Sequence, residues 1–74
     1  MLTEQDMVRI DNEVTRQRND VGWYHSVVYY RVLSYIIDTI VYPRSLTTSP
    51  VELTARAENV YSQYVKWKVS KSKS

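Results

Sequence analysis

The sequence predicts an all-α fold, a small three-helix protein, from three observations. Apolar residues recur at three- and four-residue spacing towards both ends of the chain. In the middle, Arg31, Ser34 and Asp38 share one face of a helix but would scatter over both faces of a strand, although the β-branched and aromatic content there would by itself permit strands. Gly22, the only glycine, and the two prolines, Pro43 and Pro50, fall between the segments so defined.

The first helix is expected over residues 3–18. Thr3 can cap it, Asp6 occupies the third helical position, and Leu2 and Met7 have the spacing of a hydrophobic staple. Met7, Ile10 and Val14 make a narrow apolar stripe that continues through Gln17 to Val21, with Arg9, Glu13, Arg16 and Asp20 directed away from it. Asn19, Asp20 and Gly22 then mark a turn in which Asp20 can cap the next helix. One bent helix over 3–42 is the alternative, because a lone glycine costs only about 1 kcal/mol inside a helix.

The second helix is expected over residues 21–42. From Trp23 to Tyr42 the chain carries a tryptophan, five tyrosines, four valines, three isoleucines and a leucine, so it must be the core element. Tyr29, Leu33, Ile36, Ile37 and Ile40 form a broad apolar arc, widened by Tyr30 and Val32. Pro43 is expected to end this helix, since it lacks an amide hydrogen and disfavours helical geometry at Tyr42. The segment has the length of a membrane span, but Arg31 and Asp38 would each cost about 2.5–3.5 kcal/mol at the bilayer centre, which favours a core helix instead.

The third helix is expected over residues 50–69, after a polar loop. Ser49-Pro50-Val51-Glu52 reads as its start: serine caps, proline takes the first helical position, and glutamate closes a capping box. Leu53, Ala57, Val60, Tyr61, Tyr64 and Trp67 fall on one side, and Lys66 and Lys68 complement the negative end of the helix dipole. Residues 70–74 are expected to be a disordered lysine and serine tail, leaving a single helical domain over 1–69.

A chain of 74 residues allows one domain and only a thin margin of stability. With no cysteine, disulfides and thiolate zinc sites are excluded, so a bundle or hairpin completed by oligomerisation is the expected solution. Two narrower stripes do not suffice to cover a second helix that is apolar over more than half its circumference. The lack of cysteine and of a signal-peptide pattern points to the cytoplasm. Formal net charge is +2, divided between a body of six arginines against eight acids and a terminal segment with four lysines. That is not the charge pattern of a basic nucleic-acid-binding domain.

No residue set points to a reaction. There is one histidine, no cysteine and no glycine-rich phosphate loop; His25 lacks further ligands at helical spacing, and Asp11 and Glu13 point about 200° apart on a helix. The protein is therefore expected to be non-enzymatic, with no cofactor and no metal. The candidate site is a strip of the second helix, Tyr24, Arg31, Tyr35, Asp38 and Tyr42, lying within about 60° at 100° per residue, with Arg44 just beyond it. Tyrosine beside arginine suits a protein partner or, equally, the base and phosphate of a nucleotide, and the same residues can be the plain polar face of a core helix. The expected function is a binding or assembly protein that docks on or occludes a macromolecular partner as a homo-oligomer. The alternative is a nucleotide held at a subunit junction by Arg31 and the tyrosines. A further alternative is salt-dependent nucleic-acid binding by the basic tail, Lys66, Lys68, Lys71 and Lys73.

Overall fold

The computed structural model describes residues 2–73. Among them the chain forms α1 (Glu4–Val21), α2 (His25–Ile36) and α3 (Pro50–Ser72), with a π-helical turn (Ile37–Val41) and a 3₁₀ turn (Tyr42–Arg44) carrying α2 onward, and no strand. The all-α, three-helix architecture read from periodicity is the one observed.

α1 begins as its sequence dictates. The Thr3 hydroxyl accepts from the Asp6 amide at 3.1 Å while the Asp6 carboxylate accepts from the Thr3 amide at 2.9 Å, a complete capping box. The helix runs three residues past the expected end and stops at Gly22, whose φ of 68° and ψ of −128° suit glycine alone. Its amide donates to the Arg18 carbonyl at 2.8 Å, and the chain reverses there, so α1 and α2 are separate helices and not one bent rod. Asp20 does not cap α2. Tyr24 stands at that position without a side-chain bond, and α2 starts four residues later than expected.

Pro43 does not stop the coil at Tyr42. Tyr42 stays helical at φ −59° and ψ −46°, and its amide reaches the Ile37 carbonyl one residue beyond the α-helical partner. Widening the coil in this way relieves the clash of the proline ring with the carbonyl four residues back, and the helix then tightens and ends at Ser45 in extended geometry. α3 has Pro50 in its first turn, but Ser49 makes no side-chain capping bond, so the expected capping box with Glu52 is absent; Glu52 pairs with Arg56 instead. α3 also passes the expected boundary at 69. Ser70, Lys71 and Ser72 are helical, with Lys73 at the C-cap, and Ser74 of the expected tail lies outside the described residues.

Ile10, Val32, Ile36 and Ile40 are the most completely buried large side chains, surrounded by Met7, Val14, Val28, Leu33, Val41, Leu53, Ala57, Val60 and Tyr64. Each helix supplies the stripe its spacing marked. The aliphatic arc of α2 is thus covered by α1 and α3 within one chain, contrary to the expectation that one chain lacks the surface to do so. One acid, Glu13, was misplaced by periodicity. Asp6 and Glu13 are both buried, Asp6 by the capping box and Arg44, Glu13 by Arg16 at 2.7 Å and Gln17 at 2.7 Å. Among the described residues no buried side-chain polar atom lacks a partner. No described helix is long and apolar enough to cross a membrane.

Candidate functional site

α1 presents acids along its length, and four of them, Glu4, Asp6, Asp11 and Asp20, take hold of residues beyond α1. Asp6 receives both terminal nitrogens of Arg44 at 2.9 Å, Asp20 receives Arg31 at 2.8 Å, Asp11 receives Tyr64 at 2.7 Å and Lys68 at 3.0 Å, and Glu4 receives Trp67 at 2.8 Å and Lys71 at 2.7 Å. These contacts absorb much of what the sequence offered as a site. Arg44 leaves the strip of α2 altogether to face α1. Arg31 remains on the outward side but spends Nη1 on Asp20 and on the Gln17 amide oxygen at 3.2 Å. Of the four tail lysines, Lys68 and Lys71 fold back on α1, and Lys71 also lies 5.1 Å from the centre of the Trp67 ring. Lys66 and Lys73 are exposed.

The carboxylates respond accordingly. The Arg44 guanidinium holds Asp6 down at about 2 against the opposing effect of burial, with help from the Thr3 amide. For Asp11, burial pushes upward, and the bonds from Tyr64 and Lys68 outweigh it to leave the carboxyl below its usual range. Arg16 lowers Glu13, and Lys71 with Trp67 lowers Glu4. Burial and the Asp11 carboxylate together push the Tyr64 phenol upward. The carboxylates are thereby favoured in their charged form and the Tyr64 phenol in its neutral one.

Of the rest of the strip, Tyr24, Asp38 and Tyr42 stay open to solvent and Tyr35 does not. Tyr24 is 71% exposed and Tyr42 53%, Asp38 is exposed with no ion pair among the described residues, and Tyr35 is half-buried against the core. Also exposed are Trp23 at 87%, Val27, and Tyr30 at 67%, the last of which periodicity had placed in the apolar arc. Trp23 lies outside α2 because the Gly22 turn throws it clear, and its ring stands edge-on to exposed His25 at 6.1 Å. The signal for Tyr30 was available, since it lies three residues after Val27 and four before Ser34, both on the outward side. No signal in the spacing alone could show that Trp23 would fall outside the helix.

Tyr29 meets Tyr61 edge-on at 4.9 Å, Tyr61 meets Tyr64 at 5.8 Å, and Tyr64 meets Trp67 at 6.1 Å. Tyr64 is buried and its neighbours are half-buried, so this row stitches α2 to α3. A groove of about 310 Å³ opens between Ile40, Val41 and Val60, with Arg44 and Arg56 at its edge. Both guanidiniums already hold carboxylates, Arg44 on Asp6 and Arg56 on Glu52. Compared with protein-family models, curated proteins and solved structures, the chain matches none of them.

Proposed function

We propose that this chain is a non-enzymatic binding and assembly protein that docks on a macromolecular partner, itself a protein, through the outward aromatic face of α2. One observation carries this reading: Trp23, Tyr24 and Tyr30, at the start of α2 and on its first turns, stand largely exposed while the aliphatic side of the same helix is packed. Large aromatic side chains left in water on a rigid element are the residues that dominate protein interfaces, because they combine apolar area with a polar tip. A cytoplasmic setting and action as a homo-oligomer belong to the same proposal, the first supported by the cysteine-free composition.

The nucleotide reading is less well supported, since Arg31 and Arg44 are directed to acids of their own chain and do not converge with the tyrosines. Nucleic-acid binding by the basic tail is weakened by the pairing of Lys68 and Lys71 with α1. The test is a photoreactive side chain at exposed position 25 in the cells that make the protein. It should mark one protein partner, and the double variant Trp23→Ala, Tyr24→Ala should lose that mark while keeping its helical circular dichroism. The proposal fails if the double variant is marked identically, or if a nucleotide raises the melting temperature and Arg31→Ala abolishes the rise.

A further inference from the structure

The exposed line that α2 and the turns after it leave to solvent is Val27, Arg31, Ser34, Asp38 and Tyr42. Its order is mirrored about the midpoint between Ser34 and Tyr35. Val27 lies as far before that midpoint as Tyr42 lies after it, and Arg31 and Asp38 are related in the same way. One end of the line is apolar, the other is an aromatic ring, a cation and an anion come next, and the centre is flanked by exposed Ser34 and by Tyr35, whose ring is half-buried against the core. The π-helical turn Ile37–Val41 lies within the second half of the line, and Tyr42 beyond it remains 53% exposed.

We propose that this line is a self-recognition surface on which a second copy of the chain docks antiparallel, about a two-fold axis passing between positions 34 and 35. The inference deepens the docking reading above by naming the occupant of the central part of the face. Two-fold docking places each residue against its mirror position, so Val27 meets Tyr42 of the other copy and Arg31 meets Asp38, each contact made twice. A parallel arrangement would set Arg31 against Arg31 and Asp38 against Asp38, and like charges reject it. The fold leaves the needed groups available. Asp38 has no ion pair among the described residues, and Arg31 spends only Nη1 within its own chain, so Nε and Nη2 remain to reach a second carboxylate.

At the axis Ser34 meets Tyr35 of the other copy; Ser34 satisfies its own hydroxyl on the Tyr30 carbonyl at 3.2 Å, and half-burial of Tyr35 in its own chain reduces the bulk it presents there. The chain also retains more surface than its size requires. Its accessible area is 5281 Å² for 8.8 kDa, against roughly 4,800 Å² for a compact monomer of that mass. In the resulting dimer the Trp23 turns lie at opposite ends, clear of the axis, where they remain open to a protein partner.

Sedimentation velocity at micromolar concentration tests the proposal, with a species of twice 8.8 kDa expected for the native chain. Asp38→Arg disturbs no pair within the fold and should weaken the dimer at least about thirtyfold by removing both mirrored pairs and opposing like charges in their place. Arg31→Asp should do the same. Mixing the two variants should restore a dimer containing one of each, because one copy then presents two cations and the other two anions. Since the chain has no cysteine, Ser34→Cys adds a single thiol, which should form a reducible dimer under mild oxidation where Val8→Cys on exposed α1 does not. A native chain that stays at 8.8 kDa overturns the proposal while leaving the Trp23 docking test untouched. So does a dimer indifferent to both charge reversals, a mixture that stays monomeric, or equal cross-linking at positions 8 and 34.

Discussion

Gly22 shows how one residue decides the topology. Its backbone sits at φ 68° and ψ −128°, a region closed to ordinary side chains, and nothing stands within 4 Å of where a Cβ would project. Space is therefore not the constraint; backbone strain is. Gly22→Ala should cost about 1–3 kcal/mol in urea unfolding. The mirror-image residue meets no such strain, because for a D-amino acid these angles correspond to ordinary extended backbone. A synthetic chain with D-alanine at position 22 should be at least as stable as the native one, through reduced freedom of its unfolded state. Equal losses with the two alanines would show that the turn tolerates no side chain at all. Glu13 illustrates the reverse case at the same scale. Its spacing off the apolar stripe suggested solvent, yet its carboxylate is buried because Arg16 and Gln17, one turn on, satisfy both of its oxygens.

Among the elements, α1 and α3 begin with similar sequence signals and different chemistry. In Thr3-Glu4-Gln5-Asp6 the reciprocal bonds form, whereas in Ser49-Pro50-Val51-Glu52 they do not, because Arg56 one turn later draws Glu52 outward at 2.9 Å. Thr3→Ala should thus cost about 1 kcal/mol, and Ser49→Ala should stay within about 0.5 kcal/mol, as measured by the urea midpoint of each variant. A cost for Ser49→Ala as large as that for Thr3→Ala would mean that the Ser49 hydroxyl caps α3 in solution. The apolar stripes were legible because burial repeats with the helical period, and Met7, Ile10, Val14, Leu53, Ala57 and Val60 are all buried as that period requires. The ends of α2 were not legible. Its start depends on where the Gly22 turn releases the chain, and its finish on a widened turn that takes Pro43 inside the coil.

For the whole molecule, the exposure of Tyr24 and Tyr42 was legible in the sequence, but the half-burial of Tyr35 and the pairing of the arginines were not. Arg31 and Arg44 find acids of α1 that lie far from them in sequence, and no local pattern announces such a contact. The acids of α1 hold the other elements in place, which makes stability depend on pH in a definite direction. Glu4, Asp6, Asp11 and Glu13 all have folded-state pKa values below their ordinary ones. Their stabilisation is therefore fully present above the ordinary carboxylate range and is lost as pH falls through the folded values. Asp6 dominates, moving from 3.8 to about 2. Because its partner Arg44 is 43% exposed and screened by solvent, the Asp6 contribution is about 1–2 kcal/mol, below what the full shift would imply. Arg44→Ala should lose that amount in urea unfolding near neutral pH, and the native and variant curves should converge as the pH approaches about 2, where Asp6 becomes protonated in both. Curves that stay parallel into acid would show that Arg44 stabilises the fold by packing over Ile40 and Val41 and not through the charge on Asp6.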